Sequence, residues 1–198
     1  MKAGFAAGLL AVLLAAPALP QQLSGGEKIE SGELPSPSGL PLLWRIRLLP
    51  VASFPDLPPA VAAQLGLRQC MIPQSFEAQQ PENVIRGSFR APGSDDWAVL
   101  CSVREATTLY VFFGGQFDAP VALRSQHDTD WLGAEPGSHI FGSAWGIALS
   151  RAEQLRASPQ LREALQPDHD GIQDERLERT STIHYYQGGK WLTMAGGG

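Results

Sequence analysis

Alternating apolar and polar positions predict short β-strands through most of the chain. Residues 42–49 (LLWRIRLL) set Trp44, Ile46 and Leu48 on one side and two arginines on the other. This is the pattern of a strand that has one face in water. Three later runs, separated by short polar turns, predict an antiparallel meander, and they cover residues 83–90, 96–102 and 108–115.

The end of the sequence predicts a β-hairpin over residues 181–194 (STIHYYQGGKWLTM). Gly188 and Gly189 would form its two-residue turn, because such turns need positive φ angles that glycine adopts without steric cost. In this register Tyr186 lies opposite Trp191, and a cross-strand aromatic pair of this kind contributes about 0.5–1 kcal/mol.

Helical periodicity is confined to short segments. Residues 58–68 begin with two prolines and carry Val61 and Leu65 four positions apart, which predicts one short helix. Residues 150–165 predict one or two more helices, and residues 138–150 predict a strand interrupted by glycines. Together these elements predict a β-rich α+β domain with an antiparallel meander, a C-terminal hairpin and two or three short helices.

The first 18 residues have the pattern of a secretory signal peptide. Lys2 precedes an apolar run of Ala and Leu, and a small-x-small sequence ending at Ala18 matches a cleavage site. An uncleaved anchor is the alternative, but the apolar run is shorter than the about 20 residues that span a bilayer. We therefore expect an exported protein, periplasmic or secreted, with no transmembrane segment after cleavage.

Composition and charge refine the domain boundaries and the choice of partner. Residues 19–41 are rich in Pro, Gly and Ser and lack aromatic side chains, which predicts a flexible linker before a single domain at 42–198. Lys and Arg number 15 against 20 Asp and Glu, a net charge of −5, and the arginines are scattered. This balance argues against a nucleic-acid partner, which would need a basic surface.

Cys70 and Cys101 are the two cysteines of the chain. In an oxidising compartment we expect them to form a disulfide, which would close a loop of about 32 residues and stabilise the fold by about 3–4 kcal/mol. The sequence leaves two alternatives open, namely two buried thiols or a nucleophilic cysteine. Neither cysteine lies in a nucleophile motif.

The segment 83–115 carries a further pattern, G-x-F-x-x-x-G-x-x-D-x-A-V, whose fixed positions include Gly87, Phe89, Gly93 and Asp96. It resembles a single FG-GAP/VCBS-type repeat, the strand–loop–strand unit of integrin-like β-propellers. The resemblance implies a hairpin with a tight loop. Because the pattern occurs once and a propeller needs at least about four blades, a full propeller is not expected.

In that family, alternating oxygen ligands in the loop hold calcium. Here the corresponding positions carry Ser88, Arg90 and Pro92. A guanidinium repels the ion and proline offers no side-chain ligand, so the resemblance implies a hairpin without calcium. A wider set of segments is also similar to a group of exported bacterial proteins that has no assigned activity, which supports treating 42–194 as one unit.

A second acidic segment, residues 168–178 (DHDGIQDERLE), resembles EF-hand-like calcium loops, with Asp168, Asp170 and Asp174 in phase. Its first and closing ligand positions lack carboxylates, so the resemblance implies at most weak calcium binding. The alternative is an acidic, solvated turn in which Gly171 takes a positive φ angle. No other cofactor is expected.

The sequence lacks G-x-S-x-G, H-E-x-x-H and Walker motifs, which favours a non-catalytic binding module for a protein or glycan partner. Exposed aromatic side chains mark recognition surfaces. The candidate ligand-binding residues are therefore the aromatic residues of the meander and the hairpin, Tyr110, Phe112, Tyr186 and Trp191.

Two other functions remain open at this point. One is an extracytoplasmic hydrolase in which acidic and imidazole side chains gather in a pocket. Its candidate residues are Asp96, His127, Asp128, Asp130, His169 and Asp170. The other is a weak calcium-stabilised structural domain centred on residues 168–174.

Overall fold

Within the described part of the chain, two β-sheets, one of nine strands and one of four, form the body of the protein. The computed structural model describes residues 26–37, 39–177 and 179–196. The predicted signal peptide, residues 1–18, lies outside the described residues. A β-rich α+β architecture in one domain confirms the predicted fold class.

The nine-stranded sheet contains β1 (Lys28–Leu34), β2 (Leu42–Pro50), β3 (Met71–Gln74), β4 (Val84–Gly87), β5 (Asp96–Val103), β6 (Ala106–Phe112), β7 (Val121–His127), β8 (Leu132–Ala134) and β9 (Ile140–Ser143). The four-stranded sheet contains β10 (Trp145–Ser150), β11 (Gly171–Arg176), β12 (Thr180–Gln187) and β13 (Lys190–Ala195). The helices are α1 (Pro59–Leu67), α2 (Ala152–Ala157) and α3 (Pro159–Leu165). Within the described residues, no helix is long and apolar enough to cross a membrane.

The larger sheet has the order β7–β6–β5–β3–β2–β9–β8, with β1 added to β2 and β4 added to β5. The smaller sheet has the order β10–β11–β12–β13, which leaves β13 at one edge. Neighbouring strands run antiparallel, except for the parallel pair of β2 and β9. The predicted meander is confirmed, because β4 pairs with β5 and β5 pairs with β6.

Strand β5 is buried on both faces, and this explains its nearly continuous apolar sequence. Trp97 and Val99 pack towards helix α1, together with its Val61. Ala98 and Leu100 point the other way and pack against the smaller sheet. The protein is therefore layered as helix α1, the larger sheet, the smaller sheet, and the pair α2–α3, whose leucines cover the outer face of β12.

The C-terminal hairpin forms as predicted. Gly188 and Gly189 have φ angles of 60° and 81°, and Tyr186 is the cross-strand partner of Trp191. These two rings lie 5.4 Å apart in an edge-to-face arrangement. The hairpin was predictable because both the glycine turn and the aromatic pair are local sequence features.

Part of the predicted flexible linker, residues 19–41, is a strand. Strand β1 pairs along its whole length with β2, and Gly32 lies under the indole of Trp44. A side chain at position 32 would meet that ring at 3.0 Å, so the glycine permits the close approach. The polar composition of this segment conceals the strand, because its order comes from hydrogen bonds to β2 rather than from a buried face of its own.

Residues 138–150 form two strands rather than one interrupted strand. Strand β9 belongs to the larger sheet and β10 to the smaller one, and the chain crosses between the sheets at Ala144. Periodicity over a few residues cannot distinguish a bulge from a crossing, because both break the alternation at one position.

Cys70 and Cys101 form the predicted disulfide, with Cα atoms 5.2 Å apart. The bond joins the segment before β3 to the middle of β5, and both residues are buried against helix α1. It thus fixes the end of α1 to the central strand of the larger sheet.

We expect the double variant Cys70→Ala/Cys101→Ala to lose about 3–4 kcal/mol of unfolding free energy, because the unfolded chain is no longer restrained by a closed loop. Urea denaturation followed by tryptophan fluorescence measures the change relative to oxidised wild-type protein, with reduced wild-type protein as a second sample that lacks the bond. An unchanged midpoint in both samples would contradict a stabilising role for the bond.

Candidate functional site

Three loops that are distant in sequence meet in one surface cleft of about 450 Å³. Its walls come from residues 90–92 in the β4–β5 loop, from the turn after α3, and from residues 186–189 of the hairpin. We call it the hairpin cleft. It joins the propeller-like loop, the acidic segment and the aromatic hairpin, which the sequence presents as three separate features.

The β4–β5 loop is organised by the carboxylate of Asp96, which is fully buried. Its Oδ2 accepts hydrogen bonds from the N–H of Arg90 at 2.8 Å and from the Ser94 hydroxyl. Its Oδ1 accepts the N–H of Gly114 at 2.8 Å. Donors from the protein thus surround the carboxylate, which therefore ties the loop to the end of β6.

The carboxylate of Asp170 joins this loop to the smaller sheet. Its Oδ2 accepts the N–H of Ser88 at 3.0 Å, and its Oδ1 accepts the N–H of Ala152 at 3.1 Å. The N–H of Asp170 donates in turn to the carbonyl of Ser88 at 3.0 Å. One residue therefore fixes the β4–β5 loop against the start of α2.

Arg90 supplies an exposed cation at the rim of the cleft. Its guanidinium lies 5.5 Å from the ring centre of Phe113. The Phe113 ring stacks on Trp191 at 6.1 Å and contacts Tyr186 in a tilted arrangement at 5.1 Å. The guanidinium of Arg90 packs on this aromatic cluster through a cation–π contact, which restricts its position.

His169 and Asp168 form the floor beside the hairpin. His169 is buried, stacks on Tyr185 at 4.4 Å, and places its Nε2 2.9 Å from the carbonyl of Tyr186. Its Nδ1 contacts Oδ1 of Asp168, which also accepts the Tyr185 hydroxyl. The Tyr185 hydroxyl lies 3.0 Å from the same Nδ1, so both imidazole nitrogens are engaged by neighbouring oxygen atoms.

The hydrogen bond from His169 lowers the pKa of Asp168 below its ordinary value of 3.8, and the Tyr185 hydroxyl acts in the same direction. Burial raises the pKa of Tyr185 above 10.0. The exposed Asp168 is therefore a fixed anion at neutral pH. With both nitrogens of His169 engaged, the cleft offers a ligand fixed charge and hydrogen bonds.

The three carboxylates of the predicted calcium loop have separate roles. Asp168 lines the cleft, Asp170 holds backbone N–H groups, and Asp174 lies inside strand β11. Among the described residues, no three His, Cys, Asp or Glu side chains are grouped so that they could hold a metal ion.

The alternative of a solvated turn with a positive φ angle at Gly171 needs correction. Gly171 begins β11, and a Cβ at this position would lie 3.1 Å from the carbonyl of His184. The glycine is required by close strand packing, since a side chain there would meet the backbone of β12.

The residues of the hydrolase hypothesis do not gather in one pocket. Asp130 accepts the N–H of His127 in the β7–β8 turn, while Asp128 is buried against the hydroxyls of Ser102 and Thr107. Asp96, His169 and Asp170 belong to the hairpin cleft and its supports. The spatial separation of these two groups was not visible in the sequence.

The four aromatic residues predicted to bind a ligand differ in the exposure of their side chains. Phe112 is fully buried in the core beneath α1, so its side chain is not available to a ligand, and that prediction is wrong. Tyr110 is partly buried and lies under Arg68. Tyr186 and Trp191 are partly exposed, and Tyr186 lines the hairpin cleft.

A buried polar cluster around Asp174 was not predicted from the sequence. Its carboxylate accepts Trp145 Nε1 at 2.7 Å, His184 Nε2 at 3.0 Å and Arg124 Nη1 at 3.4 Å. The Arg124 guanidinium also lies 4.0 Å from the ring centre of Trp131. Strand alternation would have placed His184 on the inner face of the hairpin, but only the fold brings the other partners to it.

Comparison of the chain with protein-family models, with curated proteins and with solved structures finds no match. The resemblance of residues 83–115 to an FG-GAP/VCBS-type repeat therefore stays a prediction, and the site is interpreted from its own geometry.

Asp96→Ala should lower the unfolding free energy by about 2–4 kcal/mol, because the N–H groups of Arg90 and Gly114 lose the fully buried carboxylate that accepts them. The matched variant Asp95→Ala removes only an exposed, solvent-screened ion pair with Arg86, so its effect should be much smaller. Urea denaturation of both variants checks this difference. Equal effects, or recovery of the wild-type midpoint on adding calcium, would contradict the role given to Asp96.

Burial raises the pKa of Asp128 above 3.8, so the unfolded chain releases this proton more readily than the folded protein. Ionisation of Asp128 therefore destabilises the fold as the pH rises from about 4 through the raised pKa. In Asp128→Asn this contribution is absent. The difference in unfolding free energy, variant minus wild type, should increase over that interval and then level off, as measured by urea denaturation across pH; a difference that falls with pH would refute the assignment.

Proposed function

We propose that the protein is an exported binding module that recognises a glycan through the hairpin cleft. The observation that carries this proposal is the meeting of Arg90, Asp168 and Tyr186 around one cleft of about 450 Å³. Cavities of about 300–1,000 Å³ suit small-molecule ligands. The volume therefore fits one or two sugar rings.

The lining groups match the chemistry of a saccharide. Neighbouring sugar hydroxyls both donate and accept, so a carboxylate such as Asp168 and a guanidinium such as Arg90 can each bind a pair of them. The C–H face of a sugar ring is apolar and packs on an aromatic ring such as that of Tyr186. Gln166 and Gln187 add further amide donors and acceptors at the rim.

The supports of the cleft favour binding without large rearrangement. Asp96, Asp170 and His169 each hold part of the wall through hydrogen bonds to backbone groups. A wall that is already ordered loses little conformational entropy when a ligand binds. Export is supported by the signal-peptide pattern of residues 1–18 and by the Cys70–Cys101 disulfide, which suits an oxidising compartment.

Arg90→Gln and Asp168→Asn should each weaken glycan binding by about tenfold or more, equivalent to about 1.4 kcal/mol. Screening of the full exported chain on an array of neutral, amino and acidic oligosaccharides identifies a ligand, and calorimetric titration then measures the affinity of each variant.

Arg104→Gln is the matched control, since Arg104 is exposed in the turn at the opposite end of β5. The control should bind as the wild type does. Absence of binding to every oligosaccharide, or equal affinity in all three variants, would rule out the proposed role of the cleft. Capture of a protein partner instead, unaffected by Arg90→Gln, would place recognition elsewhere on the surface.

A further inference from the structure

A second site, separate from the hairpin cleft, lies on the inner face of the β12–β13 hairpin. The Thr193 hydroxyl is 3.4 Å from Nδ1 of His184, and Nε2 of His184 is 3.0 Å from Oδ2 of Asp174. Thr193 is exposed, His184 is nearly buried, and Asp174 is fully buried. A hydroxyl, an imidazole and a carboxylate thus form a line from the surface to the interior.

The surroundings of Asp174 determine which imidazole nitrogen carries the proton. Trp145 and Arg124 both donate to the carboxylate, so it is held as an acceptor, and His184 must donate to it from Nε2. In the neutral ring, Nδ1 then keeps its lone pair and faces the Thr193 hydroxyl. This is the arrangement of a general base that is oriented by a third group.

The position of Thr193 leaves its reacting groups accessible. Gln187 and Lys190 flank the two-residue turn as a hydrogen-bonded pair, so the alternation of the ladder makes His184 and Thr193 a non-hydrogen-bonded pair. The backbone N–H of Thr193 therefore points away from β12, at the edge of the sheet. A nucleophile whose own N–H is free can use that donor to stabilise a developing oxyanion.

We propose that Thr193 is an acyl-accepting nucleophile for small activated esters, with His184 as its general base and Asp174 as the residue that orients the base. Oγ1 of Thr193 attacks the carbonyl carbon, and its proton moves to Nδ1 of His184. The C–O bond to the leaving alcohol breaks, and His184 returns the proton to that oxygen. Water activated by the same imidazole then cleaves the acyl-threonine, which releases the acid and regenerates the hydroxyl.

This activity goes beyond glycan binding and uses none of the residues of the hairpin cleft. It also differs from the hydrolase considered from the sequence, whose residues were Asp96, His127, Asp128, Asp130, His169 and Asp170. The predicted hairpin register already places His184 opposite Thr193, but the pair was missed because a threonine in an edge strand is ordinarily a surface residue and nothing in the sequence brings Asp174 to His184.

The test uses p-nitrophenyl acetate as the probe and the full chain as the protein. We expect release of nitrophenolate together with one acetyl group on the peptide that contains Thr193, detected by mass spectrometry. Thr193→Val, which keeps the shape of the side chain, should abolish that adduct and slow release about tenfold or more, while Thr193→Ser should retain both. Thr182→Val is the control, since Thr182 faces Ala195 on the same strand pair.

His184→Gln gives an independent check, with folding verified by near-ultraviolet circular dichroism. It should lose the adduct although the Thr193 hydroxyl is still present. An adduct and a release rate that are unchanged in Thr193→Val, or acetylation confined to Lys190, would overturn the proposal. Glycan affinity should be the same in Thr193→Val and in wild type, so failure here is distinguishable from failure of the proposed binding function.

Discussion

The hairpin cleft depends on the hydrogen bonds made by one carboxylate, that of Asp170. Its two oxygens hold the backbone N–H groups of Ser88, in the β4–β5 loop, and of Ala152, at the start of α2, so the carboxylate links the larger sheet to a helix that packs on the smaller sheet. Hydrogen bonds to a charged group contribute about 1.5–3 kcal/mol each when both partners are shielded from water. Without these two bonds, the backbone bond from the N–H of Asp170 to the carbonyl of Ser88 would remain, but the wall that carries Arg90 would be held less firmly against the start of α2.

Carboxylates with complete sets of protein donors recur throughout this molecule. Asp96 closes the β4–β5 loop, and Asp174 holds Trp145, His184 and Arg124 between the sheets. In a calcium loop the carboxylates converge and the cation balances their charge. In this protein, N–H donors and cationic side chains balance the charge of each carboxylate separately. The carboxylates of Asp96, Asp170 and Asp174 therefore act as structural links between parts of the fold that are distant in sequence.

The elements that could be predicted are those determined by residues close to one another in the sequence. The hairpin turn at Gly188, the meander strands and helix α1 each follow from alternation, turn residues or a four-residue spacing. Strand β1 could not be predicted in this way, because its order comes from pairing with β2. The crossing of the chain between the two sheets at Ala144 could not be predicted either, because it depends on which sheet offers each strand the more favourable surface for burial.

The candidate sites show the same division. The sequence suggested Asp168 and Tyr186, because acidic and aromatic side chains stand out by type. It could not suggest that Arg90 would sit on Phe113 beside them, because these residues are joined only by the packing of the two sheets. Nor could it pair His184 with Asp174, whose contact is a diagonal one across neighbouring strands.

Strand alternation in the C-terminal hairpin explains how one element can serve two sites. Tyr185 points outward, packs under α2 and α3, and reaches Asp168 with its hydroxyl, so it supports the floor of the hairpin cleft. Its neighbours His184 and Tyr186 point inward, one to the Asp174 cluster and the other to the aromatic cluster beneath Arg90. A register shift of one residue would exchange these faces and dismantle both arrangements together. The glycine turn that sets the register is therefore as important to the candidate chemistry as the polar side chains themselves.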